Sequence, residues 1–140
     1  MKHVVLIACC KRKLEHAAPA EQLYQGELFR KSLAYARSLK PDEIYVLSAK
    51  LGVVPLDQTI SPYEQTLNRM PVDDRRAWSK RVAAELAQIA DPQNDRFTFL
   101  TSKRYREGLL PYIRHADIPL EGLGIGQQLR WLKQHLEGRK

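Results

Sequence analysis

Short, continuous apolar runs alternate along this chain with longer amphipathic stretches. His3 to Ala8 (HVVLIA) is an unbroken run rich in β-branched residues, the pattern of a strand buried on both faces in a parallel sheet. A polar loop from Cys10 to Pro19 follows. Between Glu27 and Leu39, the residues Leu28, Phe29, Leu33, Ala36 and Leu39 recur at helical spacing and predict an amphipathic helix. Pro41-Asp42 breaks the pattern, and Glu43 to Leu47 (EIYVL) predicts a second strand. Strand, helix and strand in this order make a βαβ unit, whose crossover is right-handed by rule.

Leu51 to Met70 shows no period and contains Gly52, Pro55 and Pro62. It reads as a long irregular loop, and such loops inside compact domains are either functional or disordered. Pro71 is placed to open a helix, with Asp73 and Asp74 near its positive end. Trp78, Val82, Leu86 and Ile89 mark one face of that helix to about Ala90, and Asp91-Pro92 ends it. Arg96 to Leu100 (RFTFL) predicts a third strand. Thr101 or Ser102 is placed to cap a short helix through Leu110, cut by Pro111. Ile118-Pro119-Leu120 reads as a short edge strand, where proline is tolerated. Gly126 to Leu136 predicts a last helix with Leu129, Leu132 and Leu136 inward. The expected fold is α/β: one domain over residues 1–140, a three-layer α/β/α sandwich with a small, mostly parallel sheet of three to four strands.

Composition narrows the class. Hydrophobic residues make up 44% and charged residues 28%, as in a globular domain. No apolar run approaches the roughly 20 residues of a membrane helix, and the amino end lacks the features of a signal peptide. The expectation is a cytoplasmic protein with no membrane partner. Cys9 and Cys10 are adjacent, so a bridge between them is strained and a reducing compartment is implied. With no second cysteine cluster, no metal site is expected, and no cofactor is predicted. The net charge of +7 permits contact with nucleic acid or phosphorylated ligands, although acidic residues are scattered through the same segments.

In open α/β sheets, ligands bind beyond the carboxyl ends of the strands. The three predicted strand ends share a composition. The first runs into Cys9-Cys10-Lys11-Arg12-Lys13, the second into Ser48-Ala49-Lys50-Leu51-Gly52, the third into Thr101-Ser102-Lys103-Arg104-Tyr105. Each offers a thiol or hydroxyl on a small residue, then a lysine. Small residues admit a ligand close to the backbone, and lysines supply point charges for phosphate or carboxylate. The competing interpretation is ordinary loop solvation, to which Lys103 and Arg104 are most open. Three basic neighbours favour the thiolate of Cys9 and make it a candidate nucleophile. Equally, Cys9 suits a small buried position at a strand end. His16 is the nearest candidate base; His3, His115 and His135 read as surface or helix-face residues.

The irregular segment adds Asp57, Glu64, Tyr63 and Thr66. Asp57 or Glu64 suits a general base or a ribose-hydroxyl acceptor, and Tyr63 suits stacking on a base. Tyr24 flanks the first helix start, and Phe29 reads as core. Gly122 to Gly126 is not a dinucleotide fingerprint, since it follows the last strand. Its glycines fit a tight turn before the final helix.

Five motifs together carry a resemblance: C-x-K-x-K (Cys9 to Lys13), L-Y-x-G-x-L-F (Leu23 to Phe29), S-A-K-x-G (Ser48 to Gly52), P-Y-E-x-T-L (Pro62 to Leu67) and G-I-G-Q-Q-L (Gly124 to Leu129). The combination resembles a family of small bacterial and phage proteins of unknown function, and brings no established activity. The Cys9 and Lys13 spacing is distantly similar to the lysine-transferring module of archaeosine synthase, which acts on a base in transfer RNA. The rest of that module's motif does not follow Lys13. Uracil-DNA-glycosylase-like domains and DNA-binding peroxide-stress proteins are similar at the level of fold alone.

The leading expectation is an enzyme acting on a nucleobase, nucleotide or nucleic acid through a basic pocket at the strand carboxyl ends. Cys9, Ser48, Asp57 and Glu64 are the candidate catalytic residues. Lys11, Lys13, Tyr24, Lys50, Gly52, Tyr63 and Ser102 are the candidate ligand-binding residues. The alternatives are a non-catalytic nucleic-acid-binding or stress-response protein, and a small-molecule or partner-regulated module.

Overall fold

A computed structural model describes residues 1–137. Its elements follow from the apolar pattern. The run of β-branched residues forms β1 (His3–Ala8), whose Val4, Val5, Leu6 and Ile7 are essentially fully buried. Two short elements, β2 (Ala18–Pro19) and α1 (Ala20–Leu23), precede α2 (Glu27–Ser38). Helix α2 buries Phe29, Ser32, Leu33, Tyr35 and Ala36 along one side, which packs against β1. Then come β3 (Glu43–Ser48), β4 (Gly52–Pro55), β5 (Thr59–Ile60) and a 3-10 turn at Leu67–Arg69. Helix α3 (Val72–Ile89) opens after Pro71, with Asp73 and Asp74 in its first turn. The chain ends with β6 (Arg96–Leu100), α4 (Lys103–Arg106), a 3-10 turn at Leu110–Tyr112, β7 (His115–Asp117) and α5 (Ile125–Glu137).

The main sheet has five strands in the order β4-β3-β1-β6-β7. Strand β1 lies between β3 and β6 and is parallel to both, with Val5 opposite Ile44 on one side and Thr98 on the other. This central place explains why its sequence is apolar without alternation: both faces are covered. Strand β7 extends the parallel set and β4 closes the other edge antiparallel. Each large aliphatic or aromatic side chain sealed in this core contributes about 1.5–3 kcal/mol. Helix α5 packs on α2, where Trp131 meets Tyr35 edge-on at 5.1 Å and stacks on His135 at 3.6 Å.

Four details depart from the expectation. The sheet has five strands, not three to four. Two of the additional short strands lie in residues 51–70, expected to be irregular: β4 is only four residues long and β5 two, below the length at which periodicity registers. The last strand is His115–Asp117, not Ile118–Leu120. It is selected by backbone pairing with Arg96–Thr98 and by the ion pair of Arg96 with Asp117, not by an apolar run. Helix α4 ends at Arg106, short of Leu110, and the Ser102 side chain makes no capping bond. Among the described residues no helix is long and apolar enough to cross a membrane.

Candidate functional site

Parallel pairing puts the carboxyl ends of β1, β3 and β6 on one edge of the sheet, where Cys9, Ser48 and Thr101 follow or close their strands. Cys9 is held there by its N–H, which donates to the Leu47 carbonyl at 3.0 Å. The following loop is fixed to the segment before α2. Leu14 N–H donates to Leu23 O, and Gln25 N–H to Arg12 O, both at 2.9 Å. Lys13 and Tyr24 pair as a bridge between the two stretches. Gly26 completes the join, because a Cβ there would lie 3.2 Å from Cys10 Sγ. The C-x-K-x-K and L-Y-x-G motifs are therefore two halves of one local structure.

Beyond this edge lies a cavity of about 340 Å³. Its apolar wall comes from Ile7, Leu28, Phe29, Leu100 and Leu120. Its chemistry comes from Cys9, Tyr105, Thr101 and Ser32, with Lys11, Lys13, Glu64, Asn68 and Arg69 among the polar lining. Cys9 Sγ is 3.3 Å from Tyr105 Oη, and the cysteine is only 9% exposed. Tyr105 stands edge-on to Trp78 at 5.8 Å, and Leu67 N–H approaches its oxygen at 3.5 Å. Burial, reinforced by Cys9, raises the Tyr105 pKa, so this phenol stays protonated at neutral pH. Burial likewise raises the thiol of Cys10, which donates to the Arg12 carbonyl at 3.2 Å. Thr101 lines the same cavity. Its Oγ1 is the buried side-chain oxygen that finds no hydrogen-bond partner among the described residues.

A closed polar chain lies beside the cavity. Leu51 N–H donates to Ser48 Oγ at 3.0 Å, Ser48 Oγ donates to Tyr63 Oη at 2.7 Å, and Tyr63 and Tyr24 share a hydrogen bond of 2.6 Å. Burial raises the pKa of both tyrosines. The ammonium of Lys13 sits 4.5 Å from the centre of the Tyr63 ring and 5.7 Å from that of Tyr24. The negative ring faces hold that cation at the cavity without neutralising it.

Six candidates meet at this cavity: Cys9, Lys11, Lys13, Tyr63, Glu64 and Ser102. Ser48 and Tyr24 stand behind Tyr63, engaged in the closed chain. Lys50 lines a neighbouring cavity of about 650 Å³, which shares Glu64, Gln65, Thr66 and Arg69 with the first. Two candidates stand apart. Gly52 opens β4 at φ +81°, and a Cβ there would lie 2.3 Å from Glu85 Oε1. The residue is thus explained by the turn and by the close approach of α3. Asp57 is exposed in the turn between β4 and β5. His16 bonds the neighbouring Ala17 carbonyl, away from either cavity. Among the described residues no group of three His, Cys, Asp or Glu side chains is placed to hold a metal ion.

Sequence reasoning missed Arg69, and placed Thr101 and Tyr105 at the third strand end without naming either as a site residue. Their common place at the carboxyl end of β6 was the available signal.

The sequence model of a family described as "family of unknown function (DUF6884)" matches residues 4–134. The chain belongs to this family. The DUF6884 match runs from β1 into α5 and includes every residue that lines the cavity, from Ile7 to Gln128. No curated protein matches the chain.

Proposed function

We propose that this chain is an enzyme acting on a nucleobase, nucleotide or nucleic acid, with the reacting group held in the cavity at the ends of β1 and β6. One observation carries the reading: a thiol–phenol pair and an unpaired buried hydroxyl line a partly open cavity that also carries cations. The volume lies at the low end of small-molecule sites, roughly 300–1,000 Å³. Its mixed lining of flat apolar wall and hydroxyls suits a heterocyclic base. Lys11, Lys13 and Arg69 are positioned to hold phosphate, with Arg69 capable of a bidentate grip. In this scheme Cys9 is the nucleophile or orienting group, and Glu64, the carboxylate of the lining, handles the proton. Ser48 and Tyr24 act through Tyr63. The distant similarity to the lysine-transferring module of archaeosine synthase points to the same substrate class. The scheme takes the sheet as the middle layer of an α/β/α sandwich, in a cytoplasmic protein.

A thermal-shift screen with free bases, nucleosides, mononucleotides and short oligonucleotides tests the reading. A ligand that binds only the folded state at one hundred times its Kd stabilises by about 2.7 kcal/mol. We expect a clear rise in Tm with at least one base-containing ligand, lost in Lys13→Ala. No shift with any ligand, or a shift indifferent to Lys13→Ala and Thr101→Val alike, would remove the site.

One observation favours a second reading, a non-catalytic nucleic-acid-binding protein. On the far side of α3, Arg75, Arg76, Lys80 and Arg104 line a depression beside exposed Tyr112. Cations interleaved with an aromatic ring suit a phosphate backbone. This reading predicts oligonucleotide affinity that falls steeply with salt, is lost in Arg76→Ala/Lys80→Ala, and ignores Cys9→Ala.

A further inference from the structure

The two cavities on the α2 and β3 sides of residues 64–69 share one wall. Glu64, Gln65, Thr66 and Arg69 line both. That wall is well fixed: Leu67 is fully buried, Asn68 N–H donates to Thr66 Oγ1 at 3.3 Å, and Arg69 N–H donates to Thr66 O at 3.2 Å. The second cavity is nearly twice the first, about 650 against about 340 Å³. Its charged lining is Lys50, Arg69 and Arg81 with Glu64 and Asp74. None of the three cations carries an ion pair among the described residues, although two carboxylates line the same cavity. Cations left unneutralised beside acidic groups keep their capacity for an incoming anion.

We propose that the second cavity holds the sugar–phosphate chain adjoining the base held in the first, so that the substrate is a nucleotide within a single strand of nucleic acid. This rests on the function proposed above and names its substrate class. Arg69 lies at the junction, where its planar guanidinium grips the phosphate that links the two parts. Lys50 and Arg81 take the next phosphate outward. A mononucleotide fills the first cavity and leaves Lys50 and Arg81 without a partner. A base stacked in a duplex does not reach the buried Cys9 and Tyr105 of the first cavity, so the base must leave the stack to be held there.

The test measures the binding of the four 5′-mononucleotides and of fluorescein-labelled, mixed-sequence DNA and RNA pentanucleotides to the full chain. It compares the wild type with Lys50→Ala, Arg81→Ala and the double variant Arg76→Ala/Lys80→Ala. We expect a pentanucleotide to bind about tenfold tighter than any mononucleotide, with Lys50→Ala and Arg81→Ala each losing most of that gain. Mononucleotide binding stays unchanged in both, as does pentanucleotide binding in the double variant. All three variants keep the wild-type Tm, since these side chains are exposed. If mononucleotides bind and pentanucleotides bind no better, the strand proposal fails and the cavity reading stands. The same holds if a duplex of the same sequence binds equally well, or if affinity is lost only in Arg76→Ala/Lys80→Ala. If neither mononucleotide nor pentanucleotide binds, both fail.

Discussion

Two regions of one sheet edge, the end of β3 and the neighbouring ends of β1 and β6, solve the problem of buried polar groups differently. At the end of β3, the buried polar groups are engaged: Leu51 N–H, Ser48 Oγ, Tyr63 Oη and Tyr24 Oη form one continuous chain, and Trp78 Nε1 donates to the Ser48 carbonyl at 3.0 Å. At the ends of β1 and β6, the bonding is looser. Cys9 and Tyr105 meet at 3.3 Å, Leu67 N–H reaches Tyr105 at 3.5 Å, and Thr101 Oγ1 has no partner among the described residues. An unsatisfied buried hydroxyl costs about 1–3 kcal/mol, which a sequence selected for stability alone would shed. The closed chain is scaffold. The open one leaves hydrogen-bonding capacity unused at the cavity, which under the proposed function serves the ligand.

The comparison breaks most directly at Tyr63. Tyr63→Phe leaves the ring that holds Lys13 but strips the oxygen shared by Ser48 and Tyr24. Two buried hydroxyls then lose a partner, and stability should fall by about 1–3 kcal/mol. Chemical denaturation would report this as a lower midpoint at unchanged slope. An unchanged midpoint would mean that the tyrosine chain is no more structural than the Cys9 side.

Gly52 tests whether the β3 end is built tightly beyond that chain. Gly52→Ala introduces a Cβ at φ +81° and 2.3 Å from Glu85 Oε1, the atom that accepts Val53 N–H at 2.9 Å. The carboxylate can yield, so the expected loss is smaller, about 1–2 kcal/mol. Ligand binding should survive wherever the protein remains folded. A loss of binding at full stability would return Gly52 to the site.

On the open side the expected sign reverses. Thr101→Val replaces the unpaired hydroxyl with a methyl of similar shape, so stability should hold or rise by up to about 1 kcal/mol. Ligand-induced stabilisation should shrink in the same protein. Greater stability with weaker binding is the pattern of a group retained for function. A destabilised Thr101→Val with unchanged ligand response would show that the hydroxyl has a structural role, and the contrast between the two strand ends would disappear.

Legibility in the sequence followed the same division. The three buried parallel strands stood out because their apolar runs are continuous; β1 and β6 occupy the residues expected, and β3 extends one further, to Ser48. Their carboxyl ends then located the cavity, and with it Cys9, Lys11, Lys13 and Ser102. What stayed hidden depends on pairing rather than pattern. Strands β4 and β7 are edge strands of four and three residues, chosen by backbone partners and by contacts such as Glu85 with Val53 and Arg96 with Asp117. Tyr105 stood at the third strand end without an assigned role, because that role arises from meeting Cys9 across 96 positions of sequence. Lys50 was legible as a cation at a strand end, but not as the lining of a separate cavity across the 64–69 wall.

The smallest expected effect lies at the opposite edge of the sheet, and it separates pH-dependent stability from the site. His3, read from sequence as a surface residue, is half-buried at the start of β1, with Nε2 2.8 Å from Thr98 Oγ1. Burial, and then the charge of Arg96, lowers its pKa from the usual 6.5. The unfolded chain therefore takes up a proton at a pH where the folded chain resists it. This contribution is present above pH 6.5 and is lost as pH falls through the folded value. Glu43 is also depressed, by its bonds from Lys2 and Tyr45, but its window opens only below the ordinary carboxylate value of 4.5. Between pH 7 and pH 5 the decline in Tm should therefore carry a His3 component. His3→Gln, which can still bond Thr98, should flatten it, and partial solvent exposure keeps the change below about 1 kcal/mol. An equally steep decline in the variant would place the responsible group elsewhere. If Tyr63→Phe and Thr101→Val both keep the wild-type pH profile while changing stability in opposite directions, the two strand ends differ through neutral hydrogen bonds, and titration is confined to the far edge.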